Sequence, residues 1–146
     1  MKIYLAARYS RIAELRNYRD FLQAKGYTIT SRWLNGAHHI TDNGTPIDED
    51  AAAIIDGDDG STSYFATRLR TQFAHEDLQD IIDCDALIAF TEPPRSPFSR
   101  GGRHVELGIA IGLKKQLYIV GHRENIFCWL PDVWYFPTFQ ALSAGF

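Results

Sequence analysis

Cysteine is scarce in this 146-residue chain, with only Cys84 and Cys128 present. Cys84 stands between Asp83 and Asp85 ahead of an apolar run, so neither a disulfide framework nor a cysteine metal site is expected. A reducing cytoplasm suits that usage. A large charge of either sign is also missing. The formal net charge of -3 gives no general attraction to a polynucleotide, although local arginines could still hold a small anion. No stretch reaches the roughly 18 apolar residues of a membrane span. The apolar run in Met1-Lys-Ile-Tyr-Leu-Ala-Ala-Arg8 is too short for a signal peptide, so a soluble, unexported protein is expected. Repeats and low-complexity tracts are absent as well. What the chain does have is material for a core: 45% of residues are hydrophobic and 13% aromatic, over a length usual for one domain. Residues 1–146 are therefore expected to form a single domain.

The order of elements points to an α/β fold. Lys2 to Ala7 reads as a buried strand, and Ser10 stands in N-cap position before a helix with Ile12, Leu15, Tyr18, Phe21 and Leu22 at helical spacing. Gly26 ends that helix, and Tyr27 to Trp33 alternates as a second strand. Strand, helix, strand implies a parallel crossover and a doubly wound sheet. Residues 34–62 interrupt the pattern with Asn35-Gly36, Asn43-Gly44, Pro46 and Asp56-Gly-Asp-Asp-Gly60, and read as a long insertion. A helix from Ser61 or Ser63 to about Asp83 follows, with Phe65, Leu69, Phe73, Leu78, Ile81 and Ile82 as its apolar positions. Ala86 to Phe90 is the third strand. Glu92-Pro-Pro-Arg-Ser-Pro-Phe-Ser-Arg-Gly-Gly102 must be a loop, since its three prolines remove backbone donors. Gln116 to Gly121 and Val133 to Phe136 supply two further strands, and Thr138 to Ala144 a short terminal helix or turn.

The richest chemistry lies in Arg100-Gly-Gly-Arg-His-Val-Glu-Leu-Gly-Ile-Ala-Ile-Gly-Leu-Lys-Lys115. This segment places Glu106 near the start of an apolar helix, just beyond the third strand, where open α/β sheets bind ligands. A carboxylate there is expected to be ionised and aimed at a ligand. Its bland alternative is a dipole-compensating surface residue worth ~0.3 to 1 kcal/mol. Asp77 falls on or beside the apolar stripe of its helix, where desolvation would raise its pKa toward that of a proton donor. The alternative is a buried aspartate bonded to backbone amides. One ionised and one protonated carboxyl form the pair that glycosidic bond cleavage needs. Asp80, Asp83 and Asp85 are expected to be exposed or capping residues. At the end of the first strand, Ala7, Arg8, Ser10 and Arg11 suit a phosphate, though both arginines could be solvated charges. Tyr4, inside that strand, is more often core than catalytic. His38 and His39 are adjacent, so they face opposite ways and make no metal pair. The Asp56 to Gly60 run lacks the glutamate of a calcium loop, with Thr67 at the twelfth position. No metal or cofactor is expected. Trp33, Trp129 and Trp134 could stack on a base, but such residues more often serve a core or an interface.

The ordered set of Ile3-Tyr4-Leu5-Ala6-Ala7, Glu76-Asp77-Leu78, Cys84-Asp-Ala-Leu-Ile-Ala-Phe90, Val105-Glu106-Leu107-Gly108 and Asn125-Ile-Phe-Cys-Trp129 resembles the nucleoside 2-deoxyribosyltransferase family. That family includes the deoxynucleoside 5'-monophosphate N-glycosidases. The blocks cover most of the chain except the 34–62 insertion. The resemblance implies a flavodoxin-like (Rossmann-like) parallel sheet of about five strands with helices on both faces, and a homodimer or larger homo-oligomer with shared active sites. It also implies a covalent mechanism. Glu106 would attack the anomeric carbon, Tyr4 would orient Glu106, and Asp77 would protonate the leaving base. Asn125 would reach into the neighbouring subunit's site to touch the sugar's 5' end.

The chain departs from the family pattern in the loop before Glu106. Transferases acting on free nucleosides carry an aspartate there, whereas this chain offers Ser99 or Arg100. With the Gly101 and Gly102 amides, these residues would attract a phosphate rather than repel it. Asn125 points the other way, toward free nucleosides. The expected activity is cleavage of the N-glycosidic bond of a nucleoside 5'-monophosphate or 2'-deoxynucleoside, by hydrolysis or base exchange. The alternative is a non-catalytic protein that binds or sequesters a nucleotide-derived ligand in the same pocket.

Overall fold

A computed structural model describes residues 1–34, 64–96 and 101–146. Its elements are β1 (Lys2–Ala6), α1 (Ile12–Ala24), β2 (Thr28–Ile29), α2 (Tyr64–Asp83), β3 (Ala86–Phe90), α3 (Gly102–Gly112), β4 (Gln116–Val120), β5 (Val133–Phe136) and α4 (Phe139–Ser143). The five strands form one parallel sheet in the order β2-β1-β3-β4-β5. The chain leaves β1 toward β2 on one side and returns to β3 on the other. The crevice at the carboxyl ends of β1 and β3 is therefore a topological switch point, where ligands of such sheets bind. The doubly wound sheet expected from the strand and helix order is the fold observed.

Alternation along the central strands assigns a task to each face. In register, Tyr4 pairs with Leu87 and Ala6 with Ala89, while Leu5 pairs with Ile88. The face of Ile3, Leu5, Ile88 and Phe90 receives α1 and α4: Tyr18 stacks on Phe90 at 5.2 Å and on Phe139 at 4.0 Å. The face of Tyr4 and Leu87 receives α2 and α3. Strand β3 is buried throughout, which its uninterrupted Ala-Leu-Ile-Ala-Phe run requires of a central parallel strand.

Three sequence expectations are corrected. The second strand is Thr28–Ile29 alone, because Ser31 and Trp33 take over the bonding of β1 at Leu5. The Leu5 amide donates to Ser31 Oγ at 2.6 Å, and Trp33 Nε1 donates to the Leu5 carbonyl at 3.1 Å. The chain turns away as a 3-10 segment over Arg32–Leu34. Ser10 is not an N-cap; it sits within a 3-10 turn, Tyr9–Arg11, and α1 starts at Ile12 without a side-chain cap. A fork from Arg11 Nε and Nη2 to Glu14, both at 2.8 Å, holds that entry instead. In α2, Phe73 and Ile81 are buried but Leu78 and Ile82 are exposed. The Phe65 and Leu69 side chains, the 34–62 insertion beyond Leu34, His38, His39 and the Asp56 to Gly60 run lie outside the described residues. Among the described residues no helix is long and apolar enough to cross a membrane.

After β4 the chain turns at Gly121 with φ of 116°, in the region that favours glycine. A Cβ there would lie 2.9 Å from Thr91 Oγ1 and 3.1 Å from the Thr91 carbonyl oxygen. Thr91 Oγ1 cannot retreat easily, since it accepts from the His122 amide at 2.6 Å and donates to the Val120 carbonyl at 3.1 Å. Gly121→Ala is expected to cost about 2 kcal/mol or more in urea unfolding, combining backbone strain with overpacking. A change below a few tenths would contradict this account.

Candidate active site

Tyr4, Asp77 and Glu106 come from three elements that meet on one face of the sheet. Tyr4 is fully buried in the middle of β1, and its hydroxyl donates to Glu106 Oε1 at 2.8 Å. Glu106 is the fifth residue of α3, half-buried, with Asp77 close enough to act on it by charge. The Tyr4 hydroxyl also interacts with the Asp77 carboxyl. Burial drives the phenol's pKa well above its ordinary value, and the charges of Glu106 and Asp77 push the same way. Tyr4 therefore stays a neutral donor across the working pH range.

The two carboxyls do not have the contrasting environments expected from the sequence. Glu106 is pushed up to about 8, by burial first and the charge of Asp77 second; the Tyr4 hydrogen bond and the Arg103 guanidinium oppose the shift. Asp77 is pushed up to about 7 by burial, then by Asp80 and Glu76, against Arg32 and Tyr4. An ionised Glu106 at the helix start is thus corrected: it lies beyond the first turn, where the terminal field has fallen off, and desolvation dominates. Near neutral pH the pair holds roughly one proton, and it titrates as a unit.

Around the carboxyl ends of the strands, cations and anions are already matched. Glu92, at the end of β3, meets Arg8 at 3.4 Å and Arg11 at 3.3 Å. Arg103 in the first turn of α3 is buried against Glu124 at 2.6 Å, and Glu124 accepts from the Glu92 amide at 2.8 Å. Arg8 and Arg11 are therefore not simply solvated charges. Sequence reasoning missed Glu92, Arg103 and Glu124, whose partners lie 21 to 84 positions away with no local signal. The spacing of Asp77 and Asp80 was readable, yet Asp80 was expected to be exposed or capping. It is buried, and it binds Arg32 Nε at 2.7 Å and the Arg32 amide at 2.9 Å.

The remaining predicted site residues are dispersed. Ala7 is half-buried just past β1, and Ser10 is exposed. Gly101 takes φ of 90° as the residue before α3, and its carbonyl accepts from the Val105 amide at 3.0 Å; Gly102 opens the helix. Ser99 and Arg100 lie outside the described residues. Asn125 is not drawn to the carboxylates of its own chain. Its Oδ1 accepts from the Phe127 amide at 2.9 Å, and its Nδ2 lies 3.4 Å from His104 Nδ1. With His104, Leu107, Gly108, Ile111 and Phe127 it lines a cavity of about 640 Å³ against a different side of α3 from Glu106. Trp33 is buried and bonded to β1, while Trp129 and Trp134 are exposed. Among the described residues, no group of three or more His, Cys, Asp or Glu side chains could hold a metal ion.

No protein-family model matches this chain, and no curated protein matches its sequence. Among solved structures it is similar to the Clostridium botulinum CMP N-glycosidase BcmB, with a TM-score of 0.54 and 20% identity. The match covers 99% of this chain and 97% of that one, so the likeness is one of fold over the whole length of both.

Proposed function

We propose that this chain cleaves the N-glycosidic bond of a nucleoside 5'-monophosphate or a 2'-deoxynucleoside, and that Glu106 is the nucleophile. The observation that carries this reading is the Tyr4 to Glu106 hydrogen bond at 2.8 Å beside Asp77, at the switch point of the sheet. A fold shared with a protein described as a CMP N-glycosidase supports it. The Glu106 carboxylate attacks the anomeric carbon while the bond to the base breaks. Asp77 delivers its proton to the departing base, and a glycosyl-Glu106 ester remains. Water or a second base, deprotonated by Asp77, then displaces Glu106 and restores the starting configuration. Tyr4 holds the attacking carboxylate in line and partly offsets the cost of its burial.

The proposed substrate-facing set extends to Ala7, Arg8, Ser10, Gly101 and Gly102, and to Ser99 and Arg100, which precede α3 in the sequence. The reading also includes a homo-oligomer, in which Asn125 of one copy serves the site of another. Exposed Phe127 in the Asn125 cavity, with exposed Ile126 and Trp129 near it in sequence and exposed Val105 on α3, supports such an assembly.

The test is a panel of nucleosides and 5'-monophosphates, with and without an acceptor base, followed by chromatography of free base. Turnover of at least one substrate is expected, with mass detection of a glycosylated Glu106 peptide from a slow one. No base released from any of them would overturn the proposal. Within it, Tyr4→Phe should lower kcat by about 10- to 100-fold with little change in KM. Because the Tyr4 hydroxyl holds down the pKa of both Glu106 and Asp77, the same variant should move both limbs of the rate profile to higher pH. An unmoved profile would show that the phenol does not act through the carboxyl pair.

A further inference from the structure

A cluster of polar contacts outside the three residues already assigned joins the segment after β2 to the helix that carries Asp77. Arg32 lies at the start of the 3-10 turn Arg32–Leu34 and reaches α2 on both sides of Asp77. Its Nε donates to Asp80 Oδ1 at 2.7 Å, three residues after Asp77. Its Nη2 donates to the Glu76 carbonyl at 3.2 Å, one residue before. Its backbone amide donates to Asp80 Oδ2 at 2.9 Å, so both oxygens of Asp80 are engaged. The flanking residues Ser31 and Trp33 are bonded to Leu5, next to Tyr4. A continuous run of hydrogen bonds thus links the Tyr4 strand to the Asp77 turn.

We infer that Arg32 and Asp80 are positioning residues for Asp77: the pair fastens the turn of α2 from Glu76 to Asp80 against β1, fixing both where the Asp77 carboxyl sits and which charges face it. This rests on the proposed role of Asp77 as the acid. Hydrophobic packing alone would not select the rotation of α2 that presents Asp77. The helix exposes Leu78 and Ile82 while burying only Phe73, Ile81 and Asp80 among its described large or polar side chains. A two-oxygen carboxylate gripping an amide and a guanidinium, with a third bond to the backbone of the same turn, supplies that selection. The groups facing Asp77 are Glu76 and Asp80 on its own helix, Tyr4 on β1, Arg32 on the 3-10 turn and Glu106 on α3. Of these, Asp80 adds the largest anionic influence.

The test compares Asp80→Asn, Arg32→Lys and, as a control on the same helix, Asp83→Asn. Each is followed by the pH dependence of kcat and KM, and by carbon-13 NMR titration of the Asp77 carboxyl assigned through Asp77→Asn. Asp80→Asn removes an anion but keeps the shape, so the Asp77 titration should fall by about half a unit to one unit. Its kcat should drop roughly 10-fold with KM within about twofold. Arg32→Lys keeps the cation but loses the fork, so the titration should stay in place while kcat still falls by about 3- to 10-fold. Asp83→Asn should match the wild type in both. An Asp80→Asn protein with an unmoved titration, or an Arg32→Lys protein with full kcat, would overturn the inference, once backbone NMR shows both folded. The titration requires no turnover. If the wild-type protein released no base, the functional proposal would fail while the link between Asp80 and Asp77 would still be decided.

Discussion

Glu106→Gln is expected to lower base release by on the order of 10⁴-fold while making the folded protein more stable at alkaline pH. The loss follows from chemistry, since an amide oxygen cannot displace the base and form an ester that turns over. The gain follows from burial. Glu106 titrates near 8 in the fold against an ordinary value of 4.5. The folded state therefore binds this proton more tightly than the unfolded chain. Stability is greatest at low pH for this group, falls as pH rises between about 4.5 and 8, and stays reduced above that. Glutamine never ionises, so the penalty disappears, and it can still accept from Tyr4. A gain on the order of 1 to 3 kcal/mol is expected at pH 8.5, shrinking toward zero near pH 5. Urea unfolding at both values measures it. Equal stability of the two proteins at pH 8.5 would mean that the carboxylate is not penalised by its surroundings.

Asp77→Asn is expected to lower kcat by about 10² to 10⁴-fold, with the largest losses for bases that leave least readily. The change in pH dependence is more telling than its size. Under the proposed mechanism the productive form has Glu106 ionised and Asp77 protonated, although Asp77 is the weaker proton binder of the two. The productive arrangement is a minority of the singly protonated pair, and the rate should peak in a narrow band near neutral to slightly alkaline pH. Removing Asp77 abolishes the alkaline limb, since no proton remains to be lost from the acid. Asparagine stands in for the neutral acid, so Glu106 titrates alone and only an acidic limb remains. A rate profile of wild-type shape in Asp77→Asn would refute its assignment as the acid.

Much of this architecture can be read from short-range pattern. The apolar run Ala86 to Phe90 and the aromatic-rich Val133 to Phe136 appear as strands at the expected positions, because central burial and β-prone side chains act locally. Asp77 stands out as a carboxylate on or beside an apolar stripe, and Glu106 as one near the start of an apolar helix just beyond a buried strand. Tyr4 does not stand out, since nothing in a buried strand distinguishes a packing tyrosine from one whose hydroxyl meets a partner 102 positions away. The shortening of β2 is equally hidden: it depends on Ser31 and Trp33 finding Leu5, a tertiary event that overrides the β propensity of the run. The protonation of Glu106 is misjudged from sequence for a related reason. Position near a helix start is a local property, whereas desolvation by β1 and α2 is a global one, and the global effect is larger.

The strict alternation along β1 makes this strand intolerant of any change in length. Odd-numbered Ile3 and Leu5 supply the core beneath α1, while Tyr4 supplies the hydroxyl that meets Glu106. Deleting or inserting one residue within Lys2–Ala6 would exchange the two faces beyond that point, burying a phenol where an isoleucine or leucine belongs and pointing aliphatic carbon at the carboxyls. Ordinary point substitutions can damage chemistry or packing separately. A single-codon length change here would remove both at once, so among homologous chains β1 should vary in composition but not in length between its first residue and the tyrosine.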